Sequence, residues 1–122
     1  MNAVCPFCVD GDDLLANELA VVRLDANPVT PGHQLVITRR HVADFFDTTT
    51  DERKALLDLL QRARDRLRRE RAPDGFNVGI NAGEAAGQTI AHVHIHLIPR
   101  YRGDTPRPRG GVRGVIPDKQ SY

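Results

Sequence analysis

The stretch Ile90-Ala-His92-Val-His94-Ile-His96-Leu-Ile98 decides how this chain folds. Around its histidines, apolar and polar residues alternate strictly, as they do in a strand with one buried face. Period two then places the three imidazoles on one face and Val93, Ile95 and Leu97 on the other. We expect the apolar face to pack on a helix and the histidines to line a cleft. Parallel imidazoles repel one another when charged, so the row implies a function or a bound partner.

Two chemistries compete for this row of histidines. Neighbouring strand histidines, about 7 Å apart, can chelate zinc. The outer pair is roughly 13 Å apart while a Zn–N bond is about 2.1 Å, so a third ligand such as His33 would be needed. Alternatively, one imidazole is a nucleophile and another binds phosphate oxygens. The segment Gly87-Gln88-Thr89 favours phosphate chemistry, because glycine lets backbone N–H groups approach an anion and the other two side chains add donors.

The rest of the chain predicts further strands and one long helix. Strands are predicted over residues 19–24, 34–38, 76–81 and 90–98. The helix begins near Thr49, three residues before Glu52, which is capping-box spacing, and it ends at Pro73-Asp-Gly75. Its apolar face consists of Leu56, Leu59, Leu60, Ala63 and Leu67. Short strands around a helix, joined by hairpin-like connections, indicate an α+β fold with an antiparallel sheet.

Composition sets limits on the class of protein. The chain has 122 residues, enough for one domain, and a formal net charge of +1, which gives no reason to expect a nucleic-acid or membrane partner. No apolar run resembles a signal peptide or a bilayer span, so a cytoplasmic location is expected by default. Residues 103–122 are rich in Pro, Gly and Arg and show no core-forming period, so they are read as a tail.

Residues 1–102 resemble the histidine-triad (HIT) superfamily. The signature lies in Gly87-Gln-Thr-Ile-Ala-His92-Val-His-Ile-His96-Leu-Ile-Pro-Arg100, and the likeness extends through residues 77–81 and 27–37 to the N-terminal cysteines. This resemblance implies a HIT domain over residues 1–102, built as a five-stranded antiparallel sheet with one long and one short helix. It also implies a nucleotidyl hydrolase or transferase that cleaves the α-phosphate linkage of an adenosine-type nucleotide.

The resemblance assigns a role to individual residues. His94 would be the nucleophile that forms a nucleotidyl-histidine intermediate, His96 would bind the phosphate and His33 would complete the site. Asp25 would hold the ribose hydroxyls, whose donors suit a carboxylate, although it could equally cap a turn. The phosphate or leaving group would contact Asn81, Gly87, Gln88 and Thr89, with Thr89 counted among the catalytic residues. The base pocket would be apolar, with Leu24 and Val22 as candidates.

The cysteines form the motif Cys5-Pro-Phe-Cys8, which is also the form of a glutaredoxin active site. That site needs a preceding strand, and only four residues come before Cys5, which argues against redox use. The family resemblance implies instead a closed structural zinc site made by Cys5, Cys8, His41 and His92, with no metal required for the chemistry. The alternative is a pair of buried thiols and a surface histidine.

Three functional alternatives stay open on the sequence. The chain is a metal-independent nucleotidyl hydrolase, a nucleotide-binding adaptor with little turnover, or a zinc hydrolase that uses the triad as ligands. The expected partners are an AMP-containing nucleotide and, from the family, a second copy of the chain. The flanks of the triad lean toward dinucleoside polyphosphates over phosphoramidates. The tail would either reach over a partner's nucleotide site or form a disordered end.

Overall fold

The computed structural model describes residues 4–122, and its core is one antiparallel sheet covered on one face by a helix. The strands are β1 (Leu15–Ala16), β2 (Ala20–Leu24), β3 (Gln34–Thr38), β4 (Gly75–Gly79) and β5 (His94–Arg100). The helix is α1 (Thr50–Arg71). Shorter 3-10 segments are Phe45–Asp47, Glu84–Ala86, Gly111–Val115 and Pro117–Lys119. The predicted α+β class and five-stranded sheet are confirmed; within residues 4–122 the short helical elements are 3-10 turns.

Helix α1 begins where the capping box predicts. The Thr49 hydroxyl accepts from the backbone N–H of Glu52 at 3.0 Å, and the Glu52 carboxylate accepts from the backbone N–H of Thr49 at 2.9 Å. These reciprocal bonds satisfy two of the N–H groups that a helix start leaves free. The helix ends at Ala72, which has a left-handed conformation with φ of 47°. The predicted apolar face is confirmed, with Leu60 only partly buried at its edge.

The sheet has the strand order β1-β2-β3-β5-β4, with every neighbouring pair antiparallel. Alternate residues of the central strands face α1 and form the main core, which includes Val22, Val36, Ile95, Leu97, Leu56, Leu59, Ala63 and Leu67. The opposite face carries a smaller apolar cluster of Val21, Leu35, Ile37 and Phe7. On that same face His94 lies opposite Ile37, and His96 lies between Leu35 and Gly79. The sheet therefore separates the hydrophobic core from the histidines.

Two sequence predictions are corrected by this arrangement. Strand β5 begins at His94, so His92 precedes the strand instead of continuing the period-two row. The reason lies in the backbone: the N–H of Val93 donates to the carbonyl of Val42, outside the ladder. Val22 is buried in the core on the α1 side of the sheet, so it cannot line a base pocket beside the histidines.

The short strand β1 carries no periodic signal and was absent from the predicted strands. It pairs only with β2, at Leu15 opposite Val22 and Ala16 opposite Val21. None of the helices within residues 4–122 has the length and apolar character needed to cross a bilayer.

Removal of the Glu52 carboxylate should weaken the start of α1. Glu52 is 3% exposed and pairs in bidentate fashion with Arg40, at 3.0 and 2.8 Å, which joins the end of β3 to the helix. That bond lowers the pKa of Glu52 to about 2. Because the pKa is lowered, the stabilisation is complete above the ordinary value of 4.5 and is lost as the pH falls toward 2. Glu52→Gln should reduce the free energy of unfolding by about 1–2 kcal/mol at pH 7 in urea titrations.

The matched control is Asp58→Asn on the exposed face of α1. Its ion pair with Arg62 is 3.5 Å long and about half exposed on both sides, so its loss should change stability by less than about 0.5 kcal/mol. Equal effects of the two substitutions would contradict the role given to Glu52.

Candidate active site

The central histidine, His94, is held by a backbone carbonyl. Its Nδ1 lies 2.8 Å from the carbonyl oxygen of His92, and a carbonyl can only accept. Nδ1 therefore carries the proton and Nε2 keeps its lone pair. The residue is 7% exposed, and the ring of Phe7 packs edge-on against it with centroids 5.0 Å apart. The arrangement fixes both the tautomer and the orientation of the imidazole, which is what a nitrogen nucleophile requires.

A chain of hydrogen bonds assigns the protons of the other two imidazoles. The backbone N–H of Val29 donates to Nδ1 of His33 at 3.0 Å, so the proton of His33 is on Nε2. That Nε2–H donates to Nδ1 of His96 at 3.0 Å. His96 therefore presents its own proton on Nε2 and acts as a hydrogen-bond donor. His33 and His94 therefore have opposite tautomers. Nδ1 of His33 accepts from a backbone N–H, whereas Nδ1 of His94 donates to a backbone carbonyl.

Burial keeps these imidazoles uncharged. Desolvation lowers the pKa of His33 below its usual 6.5, and the nearby carboxylate of Asp25 only partly opposes that effect. Desolvation also lowers the pKa of His96, and the neighbouring rings of His94 and His33 add to the lowering. The neutral rings of His33 and His96 do not repel each other, so the two can lie side by side.

Asp25 occupies a position between a turn and the histidines. One carboxylate oxygen, Oδ1, accepts from the backbone N–H of Asn27 at 2.8 Å and so caps the turn. The other, Oδ2, lies 3.4 Å from Nε2 of His33 and 3.9 Å from Nδ1 of His96. In this single conformation Asp25 caps the turn with Oδ1 and keeps Oδ2 beside the histidines, so the turn-capping role and the predicted ribose-binding role do not exclude each other.

The donor atoms of Asp25, His33 and His96 lie within 4.8 Å of one another, close enough for a metal ion. The assigned tautomers oppose this use, because Nε2 of His33 carries a proton as long as Val29 donates to Nδ1. A metal would have to displace that proton and break the backbone bond. The geometry thus favours a proton-sharing network over a zinc hydrolase built from these histidines.

A second cluster lies behind His94 and has the donor set of a structural zinc site. Cys5, Cys8, His41 and His92 place their ligand atoms within 4.8 Å of one another. Nδ1 of His92 lies 3.4 and 3.5 Å from the two sulfur atoms, and Nδ1 of His41 lies 3.1 Å from Sγ of Cys8. Tetrahedral zinc with ordinary bond lengths separates its ligand atoms by about 3.4–3.8 Å.

The tautomer of His92 fits this site. Its Nε2 donates to the carbonyl of Thr38 at 2.6 Å, which leaves the lone pair on Nδ1 directed toward the thiols. These four residues could therefore hold a metal ion. The ring of His92 faces the two cysteines, and its backbone carbonyl accepts from His94.

In the loop before β5, the side chain of Gln88 forms hydrogen bonds with backbone groups of the loop and of a neighbouring segment. The amide nitrogen of Gln88 donates to the carbonyls of Ala43 and Ile90, at 2.7 and 3.0 Å, and its oxygen accepts from the N–H of Gly83. The predicted substrate residue Gln88 is thus placed to shape the loop. Gly87 ends the 3-10 turn with φ of 96°, a conformation that requires glycine, and the neighbouring Thr89 is exposed.

A cleft of about 400 Å³ opens beside His33 and His96. The predicted residue Asn81 lies on its wall. The other lining residues were not predicted from the sequence; they are Val29, Asn77, Val78, Gly79, Ile98, Gly111, Val112, Gly114 and Val115. Leu24 is not among the lining residues and is largely exposed. No periodicity marks the tail as part of a site, whereas Phe7 could have been suspected from its place between the two cysteines.

The HIT domain family model matches residues 9–103. The chain belongs to the HIT family. An uncharacterised HIT-like protein of Mycoplasma genitalium is 40% identical over 85 residues, which are 70% of this chain and 60% of that protein. An AP-4-A phosphorylase of Mycobacterium tuberculosis is 38% identical over 88 residues, 71% of this chain and 45% of the relative. The matched part of this HIT protein thus spans less than two thirds of the length of either relative.

A solved structure supports the fold independently. A Zn-bound histidine triad family protein from Mycobacterium smegmatis superposes with a TM-score of 0.71 at 35% identity, covering 78% of this chain and 69% of that one. The predicted resemblance to the HIT superfamily is confirmed, and with it the nucleotide-processing character of the family.

The lowered pKa values of His33 and His96 predict a loss of stability in acid. As the pH falls below 6.5, the unfolded chain takes up protons that the folded chain does not, so the free energy of unfolding decreases. In the double variant His33→Gln/His96→Gln this slope should be shallower by up to about 1.4 kcal/mol per pH unit for each histidine removed. Urea titrations between pH 7 and pH 5 measure it.

Gln61→Ala, an exposed neutral change on α1, serves as the control and should keep the slope of the unsubstituted protein. An unchanged slope in the double variant would show that these two imidazoles are not the buried groups responsible.

Proposed function

We propose that this HIT protein is a nucleotidyl hydrolase or transferase that cleaves the α-phosphate linkage of an adenosine-type nucleotide. The observation that carries the proposal is the hydrogen bond from Nδ1 of His94 to the carbonyl of His92, at 2.8 Å. It places the ring proton of His94 on Nδ1 and leaves a lone pair on Nε2, beside a donor of opposite tautomer on His96. A nucleophile next to a phosphate-binding donor is the minimum that such a reaction needs.

The proposed reaction has two steps. In the first, Nε2 of His94 attacks the α-phosphorus, a P–N bond forms and the bond from phosphorus to the leaving group breaks with its electron pair. In the second, water attacks the same phosphorus and the P–N bond breaks, with its electron pair returning to Nε2 of His94. The nucleoside monophosphate leaves with the oxygen of that water, and one proton of the water is released to solvent. No metal takes part in either step.

The neighbouring residues bind and orient the substrate in this proposal. The Nε2–H of His96, aligned through His33, donates to a nonbridging phosphate oxygen on which charge accumulates. Asn81 and the exposed Thr89 add donors, while Gly87 and Gln88 fix the loop that carries Thr89. Asp25 accepts from the ribose hydroxyls.

The leaving group distinguishes the two substrate classes considered above, dinucleoside polyphosphates and nucleoside phosphoramidates. We favour a dinucleoside polyphosphate, as the flanks of the triad indicate, and the relative named AP-4-A phosphorylase supports this choice. A nucleotide-binding adaptor with little turnover is the second candidate, since the same residues would bind AMP without releasing it quickly.

Four residues, Cys5, Cys8, His41 and His92, would hold a structural zinc ion in this proposal, which the zinc-bound mycobacterial relative supports. The ion supplies a rigid tie between the N-terminal motif, the segment after β3 and the start of β5. Both cysteines are free thiols, and a reducing compartment such as the cytoplasm keeps them available as ligands.

We also propose a homodimer. Strand β4 is an edge of the sheet, and beside it Leu57 and Val78 are exposed next to Leu60 and Phe76 in an apolar groove against α1. An unpaired edge beside an apolar groove is the type of surface that a second copy covers.

His94→Ala should abolish turnover while AMP binding is retained. Removal of the nucleophile is expected to reduce kcat on diadenosine polyphosphate at least about 10³-fold, because the remaining groups can only bind and polarise. Mass spectrometry of the unsubstituted protein quenched during turnover should find one adenylyl group on the peptide with His94. Isothermal titration with AMP measures binding in both forms.

If the unsubstituted protein binds AMP but turns over no faster than His94→Ala, the adaptor function is correct and the hydrolase proposal fails. Gln61→Ala, outside the site, should keep full turnover.

The purified chain should contain about one zinc ion, and Cys8→Ser should lose it. At a free zinc concentration 100 times the Kd, binding adds about 2.7 kcal/mol to the free energy of unfolding, so chelation should lower stability by that amount. Cys8→Ser should then equal the chelated protein and gain nothing from added zinc. Equal stability with and without chelator would favour the alternative of two thiols and a surface histidine.

A further inference from the structure

Two residues in the segments that carry the HIT signature have no part in the function proposed above. Asn77 begins the segment 77–81, and Arg100 ends the stretch that contains the triad. Asn77 lies opposite Ile98 on β5, and Ile98 and Arg100 share a face of that strand with His96. Nη1 of Arg100 donates to Oδ1 of Asn77 at 2.6 Å. The two side chains therefore form a pair on the histidine face of the sheet.

This bond orients the side-chain amide of Asn77. A guanidinium can only donate, so the amide oxygen faces Arg100 and the amide nitrogen, Nδ2, is directed elsewhere. Within residues 4–122, every buried side-chain nitrogen or oxygen has a hydrogen-bond partner, and Nδ2 of Asn77 forms no hydrogen bond. Nδ2 is therefore accessible from solvent. Because Asn77 lines the cleft of about 400 Å³ that His33 and His96 also line, its N–H groups are available to a ligand there.

Asp104 fixes the guanidinium that holds the amide. Nε and Nη2 of Arg100 donate to Oδ2 and Oδ1 of Asp104, both at 2.8 Å, and the backbone N–H of Tyr101 donates to Oδ2 at 3.0 Å. The hydrogen bond from Arg100 lowers the pKa of Asp104 to about 2, so the carboxylate is charged at neutral pH. A bidentate pair fixes the plane of the guanidinium. Nη1, the third nitrogen, is thereby held in the direction of Asn77.

Asp104 belongs to the tail, residues 103–122, which lies almost entirely outside the matched HIT domain. The tail folds back on itself, since the amide of Gln120 donates to two backbone carbonyls of the same tail, at 3.1 and 3.3 Å. Its Gly111 approaches β4 so closely that a Cβ there would stand 3.2 Å from Nδ2 of Asn77. Glycine at this position leaves the amide nitrogen uncovered. The tail thus contacts the sheet of its own chain, whereas the sequence had left a partner's site or a disordered end as the alternatives.

The donors of Asn77 and His96 point to a phosphate as the ligand. Asn77 lies diagonally across from His96 on the adjoining strand, which places the two Cα atoms about 7–8 Å apart. Each presents N–H groups whose direction is set by a second residue, Arg100 or His33. A phosphate offers several anionic oxygens to donors on neighbouring strands, and a hydrogen bond to an ionised acceptor is about twice as strong as a neutral one. The chain of hydrogen bonds from Arg100 and Asp104 also polarises the amide of Asn77 and so strengthens its N–H donors.

We propose that Asn77 binds a phosphate oxygen of the nucleotide through Nδ2, and that Arg100 and Asp104 are positioning residues that hold its amide for this contact. The proposal rests on nucleotide binding at the histidine site and not on turnover, so it applies to the hydrolase and to the adaptor alike. The tail then contributes to substrate binding through Asp104, which does not line the cleft itself.

Asn77→Asp tests the donor, because it keeps an oxygen for Arg100 and replaces the N–H groups with a second oxygen. All variants are built on His94→Ala, which should bind nucleotide without consuming it. The Kd for ADP should rise at least about tenfold, the effect of losing a hydrogen bond to a charged acceptor, while the Kd for adenosine stays within twofold. Asn77→Ala, which adds no charge, should also raise the Kd for ADP about tenfold. Isothermal titration measures both ligands, and retained adenosine binding shows that each variant is folded.

Asp104→Asn tests the positioning role. It should raise the Kd for ADP about threefold in the His94→Ala parent and have no effect in the Asn77→Ala variant, since no amide is left there to orient. A merely structural role would give the same loss in both backgrounds. The matched control is Asp118→Asn, which removes an exposed carboxylate of the same tail and should keep the Kd for ADP within twofold.

Unchanged ADP binding in both Asn77 variants would overturn the phosphate contact and leave the proposed function intact. An equal loss of ADP and adenosine binding would mean that Asn77 contacts the nucleoside, which also overturns the phosphate contact. Equal effects of Asp104→Asn in the two backgrounds would overturn the positioning role of Arg100 and Asp104. If the unsubstituted protein binds neither ADP nor AMP, the proposed function fails and the phosphate contact fails with it.

Discussion

The hydrogen bond between Nδ1 of His94 and the carbonyl of His92 is the interaction on which the site depends. It requires that β5 begin at His94, so that the residue before the strand can present its carbonyl to the ring that follows. The same residue directs its side chain backward, to Thr38 and the two cysteines. His92 thus contributes to both clusters: its carbonyl orients the ring of His94, and its own ring belongs to the cysteine cluster.

Proton placement follows from backbone groups throughout the cluster. A carbonyl at His94 and an N–H at His33 impose opposite tautomers on two rings of the same kind, and the third ring takes its tautomer from the second. Side-chain charges contribute little to this outcome, because burial keeps the pKa values of His33 and His96 low. The sheet supplies rigid positions for these backbone groups, and its other face is anchored to α1 by an apolar core.

Much of this could be predicted from the sequence, because the signals are local. The capping box at Thr49, the period of α1 and the alternation from His94 onward each depend on residues a few positions apart, and the structure agrees with them. The departure of His92 from the strand was missed because it depends on a bond between Val93 and Val42, far apart in sequence.

The same limit applies to side chains and segments whose partners are distant. Gln88 was assigned to the substrate from the family resemblance, and the sequence did not show that its side chain also bonds to Ala43 and to its own loop. Val22 was assigned to a base pocket without knowledge of which face of β2 meets α1. The tail has no periodic pattern, since 3-10 turns fixed by Gln120 leave none to find.

The contact between Cys5 and His92 joins residues 87 positions apart, nearly the whole length of the HIT domain. In an unfolded chain the two rarely meet, because closing so long a loop carries a large entropic cost that no local structure offsets. We therefore expect the four ligands to meet only after β2, β3 and β5 have assembled. An ion held by them would stabilise a sheet that has already formed and would slow its opening, whereas the ion of a small zinc domain drives folding itself.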